Sequence, residues 1–273
     1  MDAGDPTEVG GPPRLPRDLP ALFADVAPIG PFFAVATGAP PPGGGWVPLR
    51  ALHGRCPSSN APSAGAPSRA AHPLQARIAS IGAALGVGER VAASTAFQGL
   101  AAQVVAPLYA SAVGGALPVP APPAGLAETL HWRAGGSGPW LWWPGTAGQV
   151  VACPDPGAAA LRGLLVGLLA PLVGAVRAQV PIAERVLWGN ASSAVASARR
   201  LVAVACPVLA QRATVVAERL LTEPPLARTT ALRAPEPPDV GWTFRRRSCC
   251  LYYRVPAAAV CDDCVLLDRR PRR

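Results

Sequence analysis

Four cysteines crowd into sixteen residues near the end of this 273-residue chain: Cys249, Cys250, Cys261 and Cys264, spaced C-C-x10-C-x2-C. Four thiolates at this spacing are enough to hold an iron–sulfur cluster or a zinc ion. The vicinal pair restricts the fold most. Successive side chains on an extended strand point to opposite faces. Cys249 and Cys250 can therefore both be ligands only if the backbone turns there, or if they reach different sides of a larger centre. A two-iron cluster spreads its ligands over two metal atoms and tolerates this better than one tetrahedral zinc, a modest preference for [2Fe–2S]. Between the pairs, Leu251-Tyr252-Tyr253-Arg254-Val255 is strand-like in composition, and Pro256 with three alanines can make the return. A hairpin joining the two pairs is expected. In it, Tyr252 and Tyr253 would shield one face of the metal centre.

The rest of the chain bounds the chemistry. Half of it is apolar and 15% is charged, ample for a buried core. With 34 prolines and 28 glycines, that core must be interrupted by loops. All 25 basic residues are arginine, so a Walker-type phosphate loop and a Schiff-base lysine are excluded. The net charge of +9 is compatible with nucleic acid, but the arginines are scattered except at Arg245–Arg247 and in the tail. No nucleic acid is expected as a partner. An acidic electron donor or an anionic membrane surface suits the charge at least as well. Gly86-Val87-Gly88 lacks the third glycine of a dinucleotide fingerprint, so electrons are expected from a separate ferredoxin or flavoprotein.

Residues 1–20 read as a disordered, acidic and proline-rich start without the features of a signal peptide. A cytoplasmic location follows as an expectation, and the sequon at Asn190 is set aside. Residues 21–240 read as a mainly helical body and 241–273 as a cysteine-rich module. Residues 54–73 read as a surface loop. Leu74, Ile78, Ile81 and Leu85 share one helix face. Residues 89–113 form a helix that is apolar nearly all round, and the stripe from Leu161 to Val180 a third. Pro181 and Pro207 suit the first turns of two more. Between them, 130–152 reads as strand, glycine turn, strand, with Gln149–Val151 as a further strand. The fold class expected is α+β, mainly α with a small β element.

Val91–Ala127 carries no charge, but its glutamines and prolines favour a buried helix over a membrane span. Association with the inner face of a membrane remains open. Cys206 reads as a core residue, Cys56 and Cys153 have no partner spacing, and His53, His72 and His131 form no metal motif. Trp140, Trp142, Trp143 and Trp188 are the candidates for a ligand rim, with core packing as the plainer reading.

The C-terminal pattern, with Thr243-Phe244-Arg245-Arg246-Arg247-Ser248 before it and Leu251-Tyr252-Tyr253-Arg254 within it, resembles the ferric siderophore reductases of the FhuF-like family. Leu187-Trp188-Gly189-Asn190 resembles a second segment of that family. The resemblance is specific at 186–190 and 243–266. It implies a [2Fe–2S] cluster held by Cys249, Cys250, Cys261 and Cys264. It also implies one-electron reduction of iron(III) in a hydroxamate-type siderophore. It identifies no substrate-binding residues. Two positions depart from the family pattern: Ala257-Ala258-Ala259 stands where glycines are expected, and Asp262 where a small residue is common. Other functions fit the cysteines alone: a zinc-stabilised binding protein without redox activity, an iron–sulfur regulator using the arginines, or a dithiol oxidoreductase at Cys261 and Cys264.

Overall fold

The computed structural model describes residues 18–54, 72–119, 125–136, 138–144, 149–152, 158–237, 239 and 241–267. Cys56 and Cys153 lie outside them, as do residues 1–17 and most of the 54–73 loop.

The protein is mainly helical. Helix α1 (Leu19–Val26) starts within the stretch read as disordered, because Asp18 caps it by accepting the Ala21 N–H at 2.9 Å. Helix α2 (Pro73–Leu85) opens on proline and closes on Gly86, whose left-handed φ of 62° suits a glycine. Helix α3 (Glu89–Val113) is the central element and is mostly buried. A short helix, α4, follows (Leu126–Thr129), then α5 (Ala158–Gln179), α6 (Glu184–Ala205) and α7 (Ala210–Thr222). The helix α5 runs through Pro171. By length and composition α3 and α5 could each cross a membrane; α3 is mostly buried within the protein and α5 less than half buried.

The strands are short. In the first sheet, β1 (Val35–Gly38) pairs in parallel with β5 (Leu141–Pro144). Antiparallel to β5 lies β4 (His131–Trp132), which also pairs with β2 (Val47–Pro48). The expected strand–turn–strand of 130–144 is thus β4–β5. The expected third strand is β6 (Gln149–Ala152), which leaves that sheet and pairs with β3 (Ala116–Val119). A ribbon of β7 (Thr230–Arg233) and β8 (Thr243–Arg246) completes the set. It joins body to cysteine module, so a boundary at 241 divides a paired ribbon.

The core is packed around α3 and α6. Alanines on both helices, among them Ala93, Ala96, Ala191 and Ala194, are buried and let the helices lie close. Polar residues interrupt these apolar surfaces, and several of them tie segments together through hydrogen bonds. Gln103 accepts the Trp132 indole N–H at 2.9 Å. Ser192 shares a hydrogen bond of 2.9 Å with Thr229, just before β7. Arg199 and Arg200 both hold Asp239, at 2.6 and 3.0 Å. Burying a polar group without a partner is costly, so these positions tie particular segments to the helices.

Candidate metal centre

The cysteine module sits on the N-terminal halves of α3 and α6. Ser94 of α3 donates to the Cys250 carbonyl at 2.7 Å. Asn190 of α6 donates to the Ser94 carbonyl at 2.8 Å and to its hydroxyl at 3.1 Å. With its amide oxygen, Asn190 accepts from Arg246. One buried side chain therefore bridges α3, α6 and β8. Gly189, one residue earlier, is what allows the approach: a Cβ there would overlap the Ser248 hydroxyl and lie 3.1 Å from the Arg246 guanidinium. Ser248 in turn donates to the Arg185 carbonyl at 2.8 Å. The Leu-Trp-Gly-Asn segment is thus the seat of the module, although its residues bear no ligand.

The run Arg245–Arg247 has three different fates, because side chains alternate along a strand. Arg245 lies on the half-exposed side, bound to Glu236 at 2.9 Å and to the Asp262 carbonyl. Arg246 is 2% exposed. Arg247 is exposed at the end of β8. The Arg246 side chain donates to the Ser248 and Val186 carbonyls and to Asn190, all neutral acceptors. Its Nη1 is buried with no hydrogen-bond partner among the described residues. A guanidinium buried in this way needs a counter-charge nearby. The cysteine thiolates and the buried Asp263 carboxylate both feel its charge, which favours the ionised form of Cys250, Cys261 and Asp263.

The backbone supplies the turn that the vicinal cysteines require. Leu251 is left-handed, with φ of 69°, and leads into a tight 3-10 turn at Tyr252–Arg254. The strand and hairpin expected at 251–255 are therefore absent; a coil of turns joins the two pairs. In this turn the Leu251 N–H points at the Cys249 sulfur at 3.3 Å, and the Leu266 N–H points at the Cys264 sulfur at 3.4 Å. Such N–H groups stabilise thiolate over thiol. The Cys250 and Cys261 sulfurs lie 4.0 Å apart. Their shared hydrogen bond lowers the Cys250 pKa and raises that of Cys261. Burial raises the Cys249 pKa, against the pull of the Leu251 N–H.

Does this donor set fit a metal centre? Among the described residues, no three His, Cys, Asp or Glu side chains converge on one point as a single ion requires. A separation of 4.0 Å is near the roughly 3.8 Å edge of a sulfur tetrahedron with metal–sulfur bonds of about 2.3 Å. Cys250 and Cys261 are therefore spaced as two thiolates on one metal atom would be. Four cysteines, two aimed N–H donors and a buried cation whose hydrogen bonds go to neutral acceptors fit a two-metal thiolate centre. They fit a lone zinc poorly.

Comparisons with known families agree. Residues 246–266, which include all four cysteines, match the FhuF 2Fe-2S C-terminal domain. Two stretches of the chain match models of the FhuF-like family. Residues 143–235, from β5 through β7, match the model described as "Ferric iron reductase FhuF-like transporter". No curated protein and no solved structure matches the chain. The cofactor of this FhuF-like protein is a [2Fe–2S] cluster, and its function is of the iron–sulfur ferric iron reductase kind. The zinc reading is set aside on that match.

Several residues fall elsewhere than expected. Cys206 is half-buried at the C-terminal end of α6, not in the core. Asp262 is exposed, and the acid the fold buries is Asp263, bonded to Ser193 of α6. Burial raises the Asp263 pKa against that bond and the charges of Arg200 and Arg246. Trp143 and Trp188 are buried packing residues, which removes them from any ligand rim. Trp142 is half-buried and meets the His131 ring at a tilt, with centroids 5.0 Å apart, on the strand face expected for His131. Ser94, Ser193, Asn190 and Gly189 support the centre without metal-binding chemistry. Gly189 and Asn190 were marked by the Leu-Trp-Gly-Asn segment, whereas Ser94 and Ser193 gave only the weak signal of polar positions inside otherwise apolar helices.

Proposed function

We propose that this protein reduces siderophore-bound iron(III) to iron(II) by one-electron transfer, with Cys249, Cys250, Cys261 and Cys264 holding the cluster. The observation that carries the reading is the four-thiolate module itself, seated on α3 and α6 with a buried arginine beside it. When bound, the cluster supplies single electrons. The protein's own residues do the rest. Ser94, Asn190 and Ser248 fix the module, Arg246 offsets its charge, and Leu251 and Leu266 direct N–H groups at two of the sulfurs.

Hard hydroxamate oxygens hold iron(III) far better than iron(II), so one electron loosens the complex. No acid–base pair or nucleophile is required. A hydroxamate-type ferric siderophore is the substrate in this reading, and a separate ferredoxin or flavoprotein is the donor. Release of iron in the cytoplasm, at or near the inner face of a membrane, completes the reading. The test is anaerobic: dithionite-reduced protein is mixed with a ferric trihydroxamate and an iron(II) trap. One trapped iron(II) per reduced protein supports the reading. Protein that stays reduced refutes it.

A further inference from the structure

A cleft of about 360 Å³ opens against the cysteine module, within the size range of small-molecule sites. Its wall includes Cys249 and Ser248, so it reaches the metal centre directly. Three arginines from three elements line it: Arg90 from the first turn of α3, Arg185 from the first turn of α6, and Arg247 from the end of β8. All three are exposed. None of them makes an ion pair among the described residues, and no acidic residue lines the cleft. The nearby Glu184 is already engaged by Arg177 and by the Trp188 indole, each at 3.0 Å. An apolar side is supplied by Leu251, Val265 and Leu266.

We infer that this cleft is the docking site for a ferric chelate carrying net negative charge. The inference rests on the reductase reading above and narrows its substrate from a neutral trihydroxamate to a chelate that keeps negative charge once iron(III) is bound. Three hydroxamate anions neutralise iron(III), so a plain ferric trihydroxamate presents no charge to the arginines. A chelate with surplus carboxylates, or with catecholate groups, gives each of them a partner. Guanidinium pairs such oxygens in bidentate fashion. The apolar side suits the organic backbone of the chelate, and the concave shape suits a small ligand better than a protein surface. Bound there, the chelate lies against Cys249 and its neighbours.

The test uses redox-inert gallium(III) complexes and the full-length holoprotein, with binding read by equilibrium dialysis. The probes are the triply negative tris-catecholate and the neutral tris-acetohydroxamate. The tris-catecholate is expected to bind at least tenfold more tightly, and to weaken as salt rises. Arg90→Gln, Arg185→Gln and Arg247→Gln are each expected to weaken it about fivefold, with no effect on the neutral probe. Arg50→Gln, far along the chain, serves as the control. The visible and EPR spectra of each variant show that the module is intact. Equal affinity for both probes, or affinity indifferent to all three substitutions, overturns the assignment. So does an acidic ferredoxin whose binding alone depends on these arginines, since that makes the cleft a donor site. The reductase reading fails separately, if no ferric chelate of either charge oxidises the reduced protein.

Discussion

Arg246 carries the sharpest residue-scale expectation. Its guanidinium is buried with neutral hydrogen-bond partners, and its charge reaches Cys249, Cys250 and Cys261. A cation so placed favours the more negative, reduced state of the centre. Arg246→Gln should lower the midpoint potential by on the order of 100 mV. That equals about 2.3 kcal/mol per electron, the scale of one nearby charge at an effective dielectric of about 20. Arg246→Lys should recover most of the shift, which a purely structural role would not do. An EPR-monitored redox titration of the three proteins decides between them. Ala257 offers a smaller expectation. It is left-handed, with φ of 59°, in the turn where glycines were expected from the family pattern. Alanine pays about 1 kcal/mol there and glycine pays nothing. Part of the gain is lost to the freer unfolded chain. Ala257→Gly should still stabilise the protein by roughly 0.5 kcal/mol in denaturant unfolding. Unchanged or reduced stability would contradict the assigned turn.

At the scale of elements, the module depends on how closely β8 approaches α6. Gly189→Ala places a methyl group against Ser248 and Arg246, where neither can withdraw without losing its own bonds. Overpacking of this kind costs typically 1–3 kcal/mol. The expected result is weaker cluster retention with near-native helix content, read by iron content and far-UV circular dichroism. Full iron loading in the variant would show that the approach is looser. The same elements mark where the sequence could be read and where it could not. The helices α2, α3 and α5 were legible because apolar spacing and punctuating Pro and Gly residues report local structure. The four-cysteine module was legible because its chemistry is concentrated in sixteen residues. The ribbon β7–β8 was not, because its strands are four residues long and one reads Thr-Phe-Arg-Arg. Its pairing depends on Thr230 meeting Arg246, a register no local pattern records. For the same reason the fates of Arg245, Arg246 and Arg247 could not be separated beforehand. The turn at Leu251 was hidden because a leucine gives no signal for left-handed backbone.

Across the whole molecule, body and module fold as a unit, since buried polar ties run from the helices to the C-terminal segments. The largest charged tie is Asp239, held by Arg199, which also stacks over Trp242 at 4.1 Å, and by Arg200. Burial pushes the Asp239 pKa up, but hydrogen bonds and the two arginine charges outweigh it and hold the pKa below the usual value. A depressed carboxylate pKa stabilises the fold above its unfolded value, near 3.9, and that contribution is lost as pH falls through the folded value. Acid unfolding should therefore steepen below about pH 4. In Asp239→Asn this component should be missing and stability at pH 7 lower by about 3 kcal/mol, because two cations lose their partner. An unchanged acid profile would show that the tie contributes little. The central claim is that the folded module is a one-electron reductase of chelated iron, and one measurement meets it most directly. The EPR spectrum of the anaerobically reduced protein is recorded before and after one equivalent of ferric siderophore. The account predicts a spin-half signal on reduction that vanishes on mixing, with one iron(II) released. A signal that persists beside intact ferric siderophore would contradict it.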